Sequence, residues 1–208
     1  MIKPYKISVP KSTLNNIYKK IRAYPWKMMQ NVNGWEYGTN YNFLKKISQY
    51  WVSKYNWKKF ENKINSFKNY KTNVDGINLH FIKEKSKNPK SRPLLLLHGW
   101  PGSVIEFFDI IPRLAHPENF GGKIEDGFDV IVPSLPGFGF STPIKKALGP
   151  RKIGKILNKF MIKNLGHKNY IVQGGDWGAT IAAWIGFDSA KYCNCLLYTS
   201  DAADEWRS

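Results

Sequence analysis

Two turns in this chain carry groups that could do chemistry. The first is Gly174-Gly175-Asp176-Trp177-Gly178. Tyr170, Ile171 and Val172 before it are β-formers, and the alanine-rich run from Ala179 to Trp184 suits a helix, so these five residues must bend the chain sharply between a strand and a helix. Glycines around one central residue are what a nucleophile elbow requires. The central residue takes strained dihedrals, and its neighbours must let strand and helix approach. Asp176 stands at the point. A serine there would attack carbonyls, whereas a carboxylate attacks a saturated carbon and is left behind as an ester. Taken alone, the pentapeptide also fits an ordinary polar turn.

The second turn, upstream, is of matching type. Leu94 to Leu97 read as a fully buried strand bounded by Pro93 and His98-Gly99, and His98-Gly99-Trp100-Pro101-Gly102 leaves its carboxyl end carrying backbone N–H groups. An oxyanion beside an elbow is held by the N–H of the residue after the nucleophile and by one from a loop at the end of a neighbouring strand. Trp177 and Trp100 occupy those places. His98 reads more readily as a structural turn histidine than as a base.

The elements that must position these turns follow the hydrophobic periodicity. Ser12 and Thr13 can cap a helix with Leu14, Ile17, Tyr18 and Ile21 on one face, ending before Pro25; residues 31–38 have turn chemistry; Thr39 can cap a second helix with Phe43, Leu44, Ile47 and Trp51 on one side; and Trp57, Phe60, Ile64 and Phe67 continue at helical spacing. These stripes are expected to face a core. From Asn69 the period changes to two. Asp75-Gly76 marks a hairpin whose second strand alternates Ile77, Leu79 and Phe81 with Asn78, His80 and Ile82, which makes His80 a strand-face residue. A helix is expected over 104–114, a surface loop over 116–127, a buried strand over 128–132 and an amphipathic helix from Ile153 to Leu165, with His167 in an exposed loop after it. Pro133 to Ser141 alternates prolines and glycines with aromatics, a stiff loop able to wall a pocket. Short apolar strands alternating with helices argue a mostly parallel sheet with helices on both faces, its active groups gathered at the strands' carboxyl ends.

Composition narrows the classes. With 42% hydrophobic residues and 15% aromatics the 208 residues can build a globular core. The formal charge of +17 is concentrated early, where only Glu36 and Glu61 oppose the lysines before Lys71. There is no arginine-rich tract or nucleic-acid motif, so the lysines read as a solvated face, with attraction to anionic lipid as a weak secondary effect. Cys193 and Cys195 are too few for a disulfide framework and lack companion zinc ligands, and no run approaches a membrane span.

With these motifs in place, the sequence resembles the microsomal-type epoxide hydrolases of the α/β-hydrolase fold, the group that includes juvenile-hormone epoxide hydrolases. The resemblance rests on Leu96 to Ser103, Pro133 to Ser141 and Val172 to Gly178, and extends to Trp35 to Asn40 and Asp75 to Ile82. It implies a helical amino-terminal segment over residues 1–68 that wraps the hydrolase domain, and the first part of that domain over 69–195. It implies a small hydrophobic epoxide and water as reactants, no cofactor or metal and no nucleic-acid partner. It also implies membrane association at the endoplasmic reticulum, with xenobiotic oxides and terpenoid hormones equally admissible as substrates. Asp176 is the implied nucleophile and the N–H groups of Trp100 and Trp177 the implied oxyanion donors. In that family an acid and a histidine follow the nucleophile, and tyrosines from a lid assist. No histidine follows Asp176 here, so the chain reads as the front part of such an enzyme, without turnover by itself. Residues 196–208 read as a non-native tail unrelated to the fold. The rival readings are a haloalkane dehalogenase, which shares the elbow aspartate, and a basic non-catalytic membrane- or nucleic-acid-associated module that keeps the hydrolase shape.

Overall fold

A computed structural model describes residues 1–30 and 34–199; part of the turn expected at 31–38 and the end of the tail, 200–208, lie outside the described residues. In chain order the described elements are strand β1 (Lys3–Pro4) and helices α1 (Lys11–Arg22), α2 (Tyr41–Ser53) and α3 (Trp57–Asn65). Then come strands β2 (Asn69–Val74), β3 (Ile77–Glu84) and β4 (Pro93–Leu97), helix α4 (Ile111–Ala115) and strand β5 (Asp129–Pro133). Helix α5 (Pro150–Lys159), strand β6 (Tyr170–Gly175), helix α6 (Trp177–Asp188) and strand β7 (Cys193–Thr199) complete the fold. Two compact units result: Ile7–Ser66, and Met1–Lys6 together with the chain from Phe67 on. Residues 1–6, grouped by the sequence reading with the helical segment, join the sheet instead, because Lys3 and Pro4 pair with Lys71 and Tyr70 of β2.

In the larger unit the described strands form one sheet in the order β1-β2-β3-β5-β4-β6-β7. The pairs from β1 to β5 are antiparallel; β5, β4, β6 and β7 run parallel, and this parallel half carries the site. Asp75 and Gly76, both at positive φ, make the tight turn of the β2–β3 hairpin, as the Asp-Gly signal requires. The leucine strand is buried on both sides. Leu95 and Leu97 join Ile153, Leu157, Phe160, Val172, Ile181 and Ile185 in one core under α5 and α6, while Leu94 and Leu96 point to the opposite face, where α4 packs against β3 and β5.

Three departures from the sequence reading have physical causes. The helix expected over 104–114 is a 3₁₀ turn (Val104–Phe107) followed by α4, because Pro112 has no N–H to give and is accepted only in the first turn of a new helix. His167 is half-buried rather than exposed, and burial lowers its pKa. Leu196 to Thr199, read as unrelated to the fold, complete β7 in parallel register with β6. Leu, Tyr and Thr are strand formers, and main-chain pairing with the edge of β6 asks little of their side chains.

The smaller unit is held by polar clamps as much as by its core. Asn65 both accepts from the Ile7 N–H (2.9 Å) and donates to the Ile7 carbonyl (2.8 Å). Glu61 accepts from the Val9 N–H (2.7 Å), the Trp57 indole (3.0 Å) and Lys58 (2.5 Å). The Lys58 bond, then that from Val9, holds its carboxyl down at about 2. Helix α2 turns Tyr41, Leu44, Ser48 and Val52 inward and leaves Phe43, Ile47, Tyr50 and Trp51 exposed, so of the stripe expected to face a core only Leu44 is partly covered.

Candidate active site

Neighbouring parallel strands bring the two turns together. β4 and β6 pair with Leu97 opposite Gly174, so the residues that leave their carboxyl ends emerge side by side. Asp176 then adopts φ 51° and ψ −123°, a conformation non-glycine residues avoid. The clearances explain two of its glycines. A Cβ on Gly174 would stand 2.2 Å from the Gly178 carbonyl oxygen, and one on Gly178 would stand 2.1 Å from that of Leu97. Helix α6 therefore begins directly against β6 and the end of β4. Gly99 is required for a third reason: its Cβ would lie 2.7 Å from the Cβ of Asp176.

The Trp100 N–H donates to Asp176 Oδ1 at 2.7 Å. That bond first, and the Trp177 N–H second, hold the carboxyl below the usual carboxylate range against a smaller opposing effect of burial. The expected nucleophile, Asp176, and the two N–H groups expected as donors thus share one site. Trp100 is 65% and Trp177 41% exposed, so both residues reach solvent.

His98 is fully buried. Its Nδ1 lies 2.9 Å from the Gly99 carbonyl oxygen and its Nε2 accepts from the Leu135 N–H at 3.0 Å, so both ring nitrogens are engaged and burial lowers its pKa. This is the structural histidine of the sequence reading, not a base. The Phe138 ring packs edge-on against it, centroids 5.5 Å apart, which sets the Pro133 to Ser141 loop against the turn that carries Trp100.

Sequence reasoning gave His80 a strand face but missed its partners. Ser134 Oγ donates to its Nδ1 (2.9 Å) and its Nε2–H donates to Asn69 Oδ1 (3.0 Å), while its backbone N–H donates to Ser141 Oγ (2.9 Å), which in turn donates to the Ser134 carbonyl (2.7 Å). The loop is thereby pinned to β3 from beneath. The period-two alternation set His80 on the face opposite Leu79 and Phe81, and gave no sign that it is fully buried.

A cavity of about 480 Å³ lies in the smaller unit and is lined by Leu14, Tyr18, Ile47, Tyr50, Trp51 and Trp57. It is apolar and holds no nucleophile. Backbone strain and hydrogen bonding to a carboxylate coincide instead at Asp176.

Comparison with known proteins agrees with this geometry. Residues 2–107 match the family described as epoxide hydrolase N terminus, and residues 92–196 the alpha/beta hydrolase fold. A putative epoxide hydrolase of Stigmatella aurantiaca is 43% identical over 181 residues, covering 86% of this chain and 41% of that protein. Juvenile hormone epoxide hydrolase 1 of Ctenocephalides felis is 38% identical over 184 residues, covering 86% and 39%. The crystal structure of juvenile hormone epoxide hydrolase from the silkworm Bombyx mori superposes with a TM-score of 0.79 at 33% identity, covering 97% of this chain and 53% of that one. The chain spans about two-fifths of the length of these curated relatives.

Proposed function

Because the chain belongs to the epoxide hydrolases of the alpha/beta hydrolase fold, we propose that its elbow serves the conversion of epoxides to vicinal diols through an ester on Asp176. A carboxylate oxygen attacks a ring carbon, the ring C–O bond breaks and its oxygen leaves as an alkoxide that takes up a proton. Water then attacks the carboxyl carbon of the ester. The negative charge that develops on the former carboxylate oxygen falls where the Trp100 and Trp177 N–H groups converge, each donor contributing about 3 kcal/mol to such a step. Collapse breaks the acyl C–O bond, releasing the diol and regenerating the carboxylate.

The observation that carries this reading is the 2.7 Å hydrogen bond from the Trp100 N–H to Asp176 Oδ1. The match of the first 107 residues to an epoxide hydrolase model favours it over a haloalkane dehalogenase. Exposed Trp100 and Trp177, whose backbone N–H groups serve the carboxylate, suit a small hydrophobic epoxide. The base for the second half is not His98 or His80, whose ring nitrogens are all engaged. Association with the membrane of the endoplasmic reticulum belongs to the same reading; no described helix is long and apolar enough to cross a bilayer.

The test is single-turnover labelling. Incubated with styrene oxide, the chain is expected to gain the mass of one epoxide, mapped to the peptide containing Asp176, and the Asp176→Asn variant to gain none. Equal labelling of that variant, or labelling only at other residues, would refute the assignment.

A further inference from the structure

We propose that His98 is a positioning residue for the oxyanion site, holding from its carbonyl end the single peptide group whose N–H faces the nucleophile. The inference rests on the reading of the Trp100 N–H as an oxyanion donor. The carbonyl of Gly99 and the N–H of Trp100 belong to one planar unit and point in opposite directions. One end of this unit meets His98 Nδ1 at 2.9 Å and the other meets Asp176 Oδ1 at 2.7 Å.

The proton on the histidine is assigned by its other contact. The Leu135 backbone N–H can only donate, and it lies 3.0 Å from Nε2, so Nε2 presents a lone pair and the ring proton resides on Nδ1, aimed at the Gly99 carbonyl. The ring is fully buried and wedged against Phe138, so this orientation is fixed.

A lock is needed here because of what precedes the donor. Residue 99 must be glycine to clear the side chain of Asp176, and glycine is the residue whose dihedrals resist rotation of the adjoining peptide least. Turning that peptide over would present a carbonyl oxygen to a carboxylate. The bond from Nδ1–H opposes the flip, and by drawing on the carbonyl it also strengthens the N–H donor at the other end.

Two substitutions separate the two contacts. His98→Asn keeps an amide donor near the position of Nδ1 and loses the acceptor for Leu135; His98→Gln keeps an acceptor near Nε2 and loses the donor to Gly99. The Asp176 carboxyl is followed by ¹³C NMR titration, and the decay of its ester with styrene oxide, after removal of excess epoxide, by mass spectrometry. The Asn variant is expected to keep the lowered carboxyl titration. The Gln variant should titrate closer to an ordinary aspartate, and its ester should decay to free Asp176 about ten- to a hundredfold more slowly, because the Trp100 N–H acts on the oxyanion of that step. Variants alike in both readouts, tracking only thermal stability, would reduce His98 to a turn staple and overturn the proposal. Should neither variant fold, ¹⁵N NMR of the unmodified chain decides: a proton on Nδ1 of His98 is expected, and one on Nε2 would refute the lock. Failure of styrene oxide to label the unmodified chain would sink the epoxide reading, while the Asp176 titration would still judge His98.

Discussion

Buried histidines on this sheet are structural groups kept neutral, and His80 states the consequence most sharply. Burial first, and the charge of Lys71 second, push its pKa down to about 3, and each ring nitrogen already has a partner suited to the neutral ring. The unfolded chain takes up a proton near pH 6.5, whereas the folded chain resists until about 3, so this group's contribution is fully present above 6.5 and is lost as pH falls toward 3. Between pH 6.5 and 5 the loss should be roughly 2 kcal/mol. Denaturant unfolding followed across that range should show it, and a His80→Gln variant should flatten the slope; an unchanged slope would mean that other groups govern the acid limb. At this scale the candidate site was largely legible. Asp176, Trp100 and Trp177 stand in local patterns of glycine and strand that announce where each must sit. The partners of His80 were not, because Asn69 and Ser134 reach it across 11 and 54 residues through the strand order, which no local pattern encodes.

Elements, not single side chains, set the precision of the elbow. Gly178 sits in the first turn of α6, where alanine would ordinarily be the better helix former, yet its added Cβ would stand 2.1 Å from the Leu97 carbonyl oxygen and 2.9 Å from that of His98. Both atoms belong to the strand end and turn that also carry Trp100, so relief of the clash would separate α6 from β4. Gly178→Ala should therefore cost about 2–4 kcal/mol. Gly149→Ala, at the N-cap of α5 with nothing near its Cβ, should change stability by no more than about 0.5 kcal/mol. Chemical denaturation of the two variants checks the contrast, and equal losses would show that the contact between helix and strand end is not tight. Most strands and helices of the fold could be read from periodicity and turn residues, as the Asp75-Gly76 hairpin and the leucine strand show. What periodicity does not specify is which side of an apolar stripe is covered: in α2 the side bearing Phe43, Ile47, Tyr50 and Trp51 lies on the surface, and the side with Ser48 packs inward. Nor does it reveal that Pro112 divides a run of apolar residues that otherwise keeps helical register.

Over the whole molecule the dominant electrostatic fact is surplus positive charge. Fifteen acidic residues cannot neutralise thirty-two lysines and arginines, and several acids are already committed to pairs: Asp188 with Arg151, Glu118 with Lys87, Glu84 with Lys68 and Asp75 with Lys159. Added salt acts on both populations in opposite senses. It weakens these pairs, which lie at the surface and contribute little individually; it also screens repulsion among the remaining cations, which a compact chain holds closer together than an unfolded one. With a formal charge of +17 the repulsive contacts outnumber the attractive ones, so the second effect should win. Raising sodium chloride from about 20 mM to about 300 mM, which shortens the screening length from about 20 Å to about 6 Å, should raise the melting temperature by roughly 2–4 °C. Sodium sulfate would confound the measurement by strengthening apolar burial, so chloride is the appropriate salt. A melting temperature that falls with chloride would mean that the few surface pairs outweigh the field of the whole chain, and that the lysines are dispersed widely enough to ignore one another.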